Sequence, residues 1–191
     1  TKALFCESVS NPGLDVADLE AISKVAKDHG IPLIVDSTFS TPYLTRPIEH
    51  GASIVVHSLT KWLGGQGNGI GGVVIDSGTF DWKNGNFPLY DQPDNSYHGL
   101  RWGHDLPEPL APLAYILRMR TVPLRNLGAC IAPDNSWQFI QGIETLPLRM
   151  EKHCENALTV AKHLKNHPSV EWARFPGLED DPNYPLNQKY L

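Results

Sequence analysis

A lysine flanked by hydroxyl side chains and glycines is the part of this sequence best suited to chemistry. Lys61 follows Ser58 and Thr60 and precedes Gly64 and Gly65. A lysine amine forms Schiff bases with carbonyl compounds, because burial or a neighbouring cation readily removes its charge. The hydroxyl groups can bind a phosphate, and glycine lets the backbone approach a ligand where a Cβ atom would collide. An amine beside phosphate donors indicates covalent binding of pyridoxal phosphate (PLP).

Two further polar residues, Asp36 and Asn11, could complete such a site. A carboxylate that pairs with the pyridine nitrogen of PLP keeps this nitrogen protonated and makes the ring an electron sink, and Asp36 is the candidate. The Asn11 amide could hydrogen-bond the phenolic oxygen of the cofactor. Purely structural roles for these residues also stay open at this point. Asp36 could be an ordinary cap or loop carboxylate, Asn11 could stabilise the turn that it begins, and Ser58 and Thr60 could be ordinary strand-end hydroxyls.

The elements around these residues predict an α/β fold with a largely parallel sheet. An apolar stripe over residues 16–29, with Asp15 as its cap, predicts a helix. Ligands bind at the carboxyl ends of the strands in such sheets, and all five candidate residues follow strand ends. Four apolar runs predict the strands: residues 3–9, 31–35, 52–56 and 72–75.

The second half of the chain divides into three parts. Residues 80–109 mix aromatic residues with turn formers, which predicts a long functional or interface loop. A helix is predicted over residues 147–167, with Pro147 in its first turn, followed by a strand over residues 170–175. We therefore expect residues 1–146 to belong to one large domain. Residues 147–191 would form a connecting helix and the start of a smaller C-terminal domain.

Composition excludes several classes of protein. The 191 residues carry 16 basic and 21 acidic side chains without a basic block, so a nucleic-acid partner is not expected. No apolar run approaches the roughly 20 residues that span a bilayer, and no signal peptide is recognisable. The 3 cysteines lack the spacing of metal ligands. These features predict a reduced, cytoplasmic protein without a metal site or disulfides.

Three other features are interpreted as structural. The glycines of residues 67–72 match a dinucleotide-binding pattern, but they precede a strand instead of following one, which excludes that function. His57 is expected to pack or to fix a loop. Arg149 lies in a helix with glutamates nearby in sequence, so we expect a structural ion pair and place it outside the site.

Several segments together resemble the Cys/Met-metabolism family of PLP enzymes. The resemblance rests first on residues 7–12 (ESVSNP), 35–42 (VDSTFSTP) and 56–65 (VHSLTKWLGG), in this order and with similar separations. Within the family, the O-acetylhomoserine sulfhydrylase branch is the most similar. The segments that carry the likeness to this branch are GQGNGIGG (65–72), SGTFDWKNG (77–85), SYHG (96–99), GIETL (142–146) and HCENAL (153–158).

The resemblance implies a fold and a set of roles. The fold would be the aspartate aminotransferase-like fold type I, of which this chain would hold part of the large domain and the start of the C-terminal domain. Lys61 would form the Schiff base with PLP and carry protons, and Asp36 would pair with the pyridine nitrogen. Asn11 would bind the phenolic oxygen and Ser58 and Thr60 the phosphate, with Thr38 near the ring.

The implied reaction is a γ-replacement of methionine biosynthesis, in which O-acetylhomoserine and sulfide give homocysteine and acetate. A homotetramer with sites between subunits is also implied. The family's glycine-rich phosphate loop, its ring-stacking tyrosine and its carboxylate-binding arginine have no counterpart in the sequence. We therefore expect a fragment that binds PLP weakly and turns over poorly. A γ-synthase or γ-lyase on the same scaffold, or a non-catalytic fragment, are the alternatives.

Overall fold

The computed structural model describes residues 1–191 and contains one four-stranded sheet. The strands lie in the order β1-β2-β3-β4, and β1, β2 and β3 are parallel whereas β4 runs antiparallel to β3. The prediction of an α/β fold with a largely parallel sheet is confirmed. The strand bounds are β1 Leu4–Glu7, β2 Leu33–Asp36, β3 Ile54–Ser58 and β4 Gly72–Asp76.

Helices and short turns connect and cover these strands. The α-helices are α1 Leu19–Asp28, α2 Thr41–Leu44, α3 Pro88–Asp91, α4 Ala114–Met119, α5 Arg125–Leu127, α6 Pro133–Glu144, α7 Leu146–Lys165 and α8 Tyr184–Tyr190. The 3-10 helices are Pro47–His50, Asn95–Tyr97 and Ala111–Leu113, and the π-helical turns are Leu59–Leu63 and Arg120–Leu124. No helix is long and apolar enough to cross a membrane.

Helix α1 begins three residues later than the sequence predicted, and Asp15 is not its cap. Asp18 takes that position, and its side chain accepts the Ala21 N–H at 3.3 Å. Asp15 instead forms an ion pair with Arg174 at 2.9 Å. The segment before the helix is held extended by a bridge between Val9 and Val16, and this pairing delays the helix start.

The sheet is covered on both sides by apolar residues. One core lies between the strands and α1, and a second joins β3 to the aromatic segment of residues 80–109. This segment is not a structureless loop, since it contains α3 and a 3-10 helix and buries Trp82, Tyr90 and Trp102. Trp82 stacks on Tyr90 with the ring centroids 4.4 Å apart. The segment packs against β3 and β4, and none of its residues lines the candidate site described below.

The chain beyond residue 146 agrees with the sequence in part. Helix α7 has Pro147 in its first turn, as expected. The predicted strand over residues 170–175 is wrong, because a strand needs a hydrogen-bonded partner and none of the four strands pairs with this segment. The segment is irregular, and Trp172 within it is 73% exposed. The assignment of residues 147–191 to a second domain stays a prediction.

Helix α6 packs closely on the π-helical turn Leu59–Leu63, which we call the lysine turn. Gly142 of α6 lies against the backbone of Leu63 and Gly64. A Cβ atom at position 142 would overlap the Gly64 carbonyl oxygen and lie 2.8 Å from the Leu63 carbonyl oxygen. Backbone atoms cannot move away as a flexible side chain would, so this contact requires glycine in a helix that would otherwise favour alanine.

We expect Gly142→Ala to lower the free energy of unfolding by about 1–3 kcal/mol, because the added methyl group separates α6 from the lysine turn. Urea unfolding followed by circular dichroism measures this change. Gln141→Ala, at the neighbouring exposed position of the same helix, is the control and should change stability by less than about 0.5 kcal/mol. Equal unfolding midpoints for the two variants would contradict the packing described here.

Candidate active site

The parallel strands bring polar side chains together at one edge of the sheet. Glu7 at the end of β1 is in register with Asp36 at the end of β2, and Asp36 is in register with Val56 of β3. Ser58 ends β3 two residues later, and the lysine turn follows it directly. Asp36, Ser58 and the lysine turn thus lie at the carboxyl ends of the strands, as the sequence predicted, whereas Glu7 was not among the predicted residues.

A cavity of about 610 Å³ opens at this edge. Its walls hold every site residue predicted from the sequence, together with Thr38. Residues that the sequence analysis did not select also line it, and the most notable is the carboxylate of Glu7. The complete lining is Glu7, Val9, Asn11, Asp36, Thr38, Phe39, Ser58, Thr60, Lys61, Trp62, Gly65 and Gly67.

Asp36 and Thr38 are held by hydrogen bonds across the strand ends. One carboxylate oxygen of Asp36, Oδ1, accepts the Thr38 N–H at 2.9 Å, and its second oxygen forms no hydrogen bond with the protein. The Thr38 hydroxyl accepts the Ser58 N–H at 2.8 Å and thus joins the loop after β2 to the end of β3. The carboxylate is therefore fixed through one oxygen while the other can accept a donor from a ligand.

Lys61 lies in the middle of the lysine turn. Its dihedral angles, φ −93° and ψ −124°, interrupt the helical path of the turn. The side chain is exposed and forms no salt bridge, so no carboxylate neutralises the amine. Two backbone hydrogen bonds close the turn, from Gly64 N to Leu59 O at 2.9 Å and from Gly65 N to Lys61 O at 2.8 Å.

The two candidate hydroxyls have different surroundings. Ser58 Oγ forms no hydrogen bond with the protein and can donate to a ligand. Thr60 Oγ1 accepts the Gly71 N–H at 3.1 Å and donates to the Gly71 carbonyl oxygen at 3.3 Å, which is a long hydrogen bond. A phosphate could compete with this carbonyl for the hydroxyl proton, because a phosphate oxygen is the stronger acceptor.

Glu7 is the clearest residue that the sequence analysis missed. Its carboxylate accepts the Asn11 N–H at 3.0 Å and holds the start of the turn after β1. The Asn11 side chain itself forms no hydrogen bond with the protein, which removes the support for a turn-stabilising amide. The sequence predicted a strand over residues 3–9 and so placed Glu7 inside it, whereas β1 ends at Glu7, and the strand-end signal that selected Asp36 was therefore missing for Glu7.

Arg149 does not form the ion pair expected from its glutamate neighbours. Its guanidinium group contacts only neutral acceptors, namely the carbonyl oxygens of Trp62 and Gly142 and the hydroxyl of Thr145. Glutamates lie close to Arg149 in sequence, but its side chain points towards the lysine turn and away from the exposed face of α7. Arg149 does not line the smaller cavity, but it contacts the residue next to Lys61.

A larger cavity of about 940 Å³ lies beside the first, against α7 and the end of α8. It shares Val9, Phe39 and Trp62 with the smaller cavity, but 17 of its 25 lining residues are hydrophobic. No lysine, aspartate or glutamate lines it, and we assign the chemistry to the smaller cavity. No group of three or more His, Cys, Asp or Glu side chains in the chain could hold a metal ion.

Sequence comparison identifies the family. The sequence model described as Cys/Met metabolism PLP-dependent enzyme matches residues 1–191. The chain belongs to this family. Relatives include an O-acetyl-L-homoserine sulfhydrylase of Leptospira meyeri, 52% identical over 100% of this chain and 44% of that protein, and a homocysteine synthase of Schizosaccharomyces pombe, 47% identical over the same shares.

Structural comparison supports the same conclusion for this Cys/Met-metabolism chain. A Campylobacter jejuni protein assigned as an O-acetylhomoserine (thiol)-lyase superposes with a TM-score of 0.92 and 40% identity, over 100% of this chain and 46% of that one. That structure contains N′-pyridoxyl-lysine-5′-monophosphate. The O-acetylhomoserine sulfhydrylase of Wolinella succinogenes has a TM-score of 0.82 and 38% identity, over 100% and 50%. The chain thus spans about half or less of these relatives.

The residues of the smaller cavity fit PLP chemically. An aldehyde, a pyridine nitrogen, a phosphate and a phenolic oxygen need an amine, a carboxylate, hydroxyl donors and an amide, and one cavity supplies all of them. The free oxygen of Asp36 and the free hydroxyl of Ser58 are polar groups without a protein partner, as ligand-binding atoms should be.

Behind the cavity, His57 is 6% exposed and connects β3 to the loop after β2. Its Nδ1–H donates to the Ser37 carbonyl oxygen at 3.0 Å, which confirms the expectation that His57 packs and fixes a loop. Burial lowers the pKa of His57, although the hydrogen bond to Ser37 and the charge of Asp36 oppose this effect. The imidazole is therefore neutral in the folded chain near pH 7.

Because the folded pKa of His57 is below its unfolded value of about 6.5, the unfolded chain binds a proton first as the pH falls. We expect the free energy of unfolding to decrease as the pH falls from 7.5 through this value. His57→Asn keeps a donor for Ser37 but does not titrate, so its stability should depend less on pH. Urea unfolding at pH 7.5 and 5.5 tests this, with the exposed His163→Asn as control. Equal pH dependence in the wild-type chain and in His57→Asn would contradict the assignment.

Proposed function

We propose that this chain carries the PLP-anchoring part of an O-acetylhomoserine sulfhydrylase, which converts O-acetylhomoserine and sulfide into homocysteine and acetate. The observation that carries the proposal is the meeting of Asn11, Asp36, Ser58, Thr60 and Lys61 in one cavity. The names of the relatives and the family match support the choice of reaction. In this reaction the Cγ–O bond of the substrate breaks and a Cγ–S bond forms, without net oxidation or reduction.

Each residue of the cavity has a proposed role. Lys61 would bind PLP covalently through its amine and would then carry the proton removed from the substrate Cα. The amine is available for both roles because it forms no salt bridge with a carboxylate. The free oxygen of Asp36 holds the pyridine nitrogen, and Asn11 binds the phenolic oxygen. Ser58 and Thr60 bind the phosphate. When bound, PLP supplies an electron sink that makes loss of the α proton possible.

The substrates, the oligomeric state and the cellular location of the protein are also proposals. The substrates are proposed to be O-acetylhomoserine and sulfide, as the names of the relatives suggest. The homotetramer and the cytoplasmic location stay predictions. Because the chain spans 44% of the Leptospira meyeri protein, we expect the isolated chain to bind PLP more readily than it turns over substrate.

Lys61→Ala tests the covalent anchor. The wild-type chain mixed with PLP and reduced with borohydride should gain the mass of one pyridoxyl phosphate group on the peptide that contains Lys61. Lys61→Ala should lose this labelling, whereas Lys83→Ala, which removes an exposed lysine outside the cavity, should keep it. Labelling spread equally over surface lysines in all three proteins would contradict the anchor.

A chimaera tests the reaction itself. Residues 1–191 replace the matching segment of the Leptospira meyeri sulfhydrylase, and homocysteine is measured with O-acetylhomoserine and sulfide. We expect homocysteine formation, and a loss of at least about 10²–10⁴-fold in rate with Lys61→Ala, because a positioned proton carrier contributes a factor of this size. A preference for cysteine over sulfide, or elimination without a nucleophile, would favour a γ-synthase or a γ-lyase instead.

A further inference from the structure

Arg149 of α7 joins three elements around the lysine turn. Its Nη1 donates to the Trp62 carbonyl oxygen at 2.9 Å, and its Nη2 donates to the Gly142 carbonyl oxygen of α6 at 2.7 Å. Its Nε donates to Thr145 Oγ1 at 3.1 Å. All three nitrogens of the planar guanidinium group thus donate at the same time, to acceptors from different parts of the chain.

This arrangement cannot be explained as a structural ion pair. Arg149 takes part in no salt bridge, although glutamates lie near it in sequence. Charged donors form stronger hydrogen bonds than neutral ones, and the fixed fork of arginine suits several acceptors in one plane. A lysine ammonium group, by contrast, is a compact point charge on a flexible stem and cannot reproduce the fork.

The backbone around Arg149 is shaped to receive it. The guanidinium group lies against Gly65, where a Cβ atom would be 2.7 Å from the Arg149 Cζ atom. Gly65 also has φ +72°, a conformation that favours glycine. The residue that closes the lysine turn therefore leaves space for the arginine that contacts the same turn.

We propose that Arg149 is a positioning residue for Lys61. The Lys61 carbonyl oxygen is held by the Gly65 N–H, and the next carbonyl oxygen, that of Trp62, is held by Arg149. The exposed Lys61 side chain has no ion-pair partner of its own, so the backbone of the lysine turn decides where the amine points. Arg149 thus orients the amine for attack on the PLP aldehyde through the backbone, without touching the cofactor itself.

The first test does not need the cofactor. Amide hydrogen exchange is measured over residues 59–65 in the 191-residue chain without PLP, where the Gly64 and Gly65 N–H groups close the turn. Arg149→Met should raise this exchange by about tenfold or more, since a charged hydrogen bond to the turn is lost. Arg149→Lys should lie between the wild type and Arg149→Met. Lys152→Met, which removes an exposed cation from the same helix, is the control and should leave the exchange unchanged.

The second test measures the rate of Schiff-base formation with PLP by absorption and rests on the proposed function. We expect this rate to fall by about 10–100-fold in Arg149→Met, because a small displacement of a reacting group lowers its rate by such a factor. Arg149→Lys should recover part of it, and circular dichroism should show that each variant keeps the wild-type helix content. If Arg149→Met does not fold, Arg149→Lys against the wild type decides both tests.

Two results would overturn the inference. Exchange over residues 59–65 that is the same in Arg149→Met and in the wild type would show that Arg149 does not hold the lysine turn. Faster exchange in Arg149→Met with an unchanged rate of Schiff-base formation would show that the contact of Arg149 with the lysine turn does not orient Lys61. A wild-type chain that forms no Schiff base would instead refute the anchor role under the proposed function, while the exchange measurement would still decide whether Arg149 holds the turn.

Discussion

The parallel pairing of β1, β2 and β3 is the constraint on which the candidate site depends. Parallel strands run in one direction, so their carboxyl ends meet at one edge, and the register places Glu7 beside Asp36 there. Residues that are more than twenty positions apart in sequence thereby share one cavity. A shift of the register by one residue would turn each of these side chains to the opposite face of the sheet.

The lysine turn depends on a second kind of constraint, the close approach of backbones. Gly64 and Gly142 let the backbones of α6 and the turn approach closely, and Arg149 donates to the carbonyl oxygens of Trp62 and Gly142. Leu63 of the turn and Phe139 of α6 are buried here, and the hydrogen bonds of Arg149 and the absence of Cβ atoms add to this apolar packing. Such contacts fix a backbone position closely, which a reactive amine requires.

The remainder of the chain supports the sheet from both sides. The first core covers the face that α1 occupies, and the aromatic segment around Trp82 and Trp102 covers the opposite face of β3 and β4. The buried Trp102 donates its Nε1–H to Asp94 at 2.9 Å, which satisfies the one polar atom of its ring. A segment rich in turn formers can therefore be ordered, because its aromatic residues supply a core of their own.

The sequence by itself determined the α/β class, the four strands of the sheet and five of the 12 residues that line the cavity, because hydrophobic patterns predict the strands and these five residues follow the predicted strand ends. It did not determine the helix cap, the absence of a strand over residues 170–175, or the partner of Arg149. Those features depend on contacts such as Asp15 with Arg174, which are 159 positions apart in sequence. Only the tertiary structure decides these features. The partner of a hydrogen-bond donor or of a strand edge can come from any part of the chain that folding brings near.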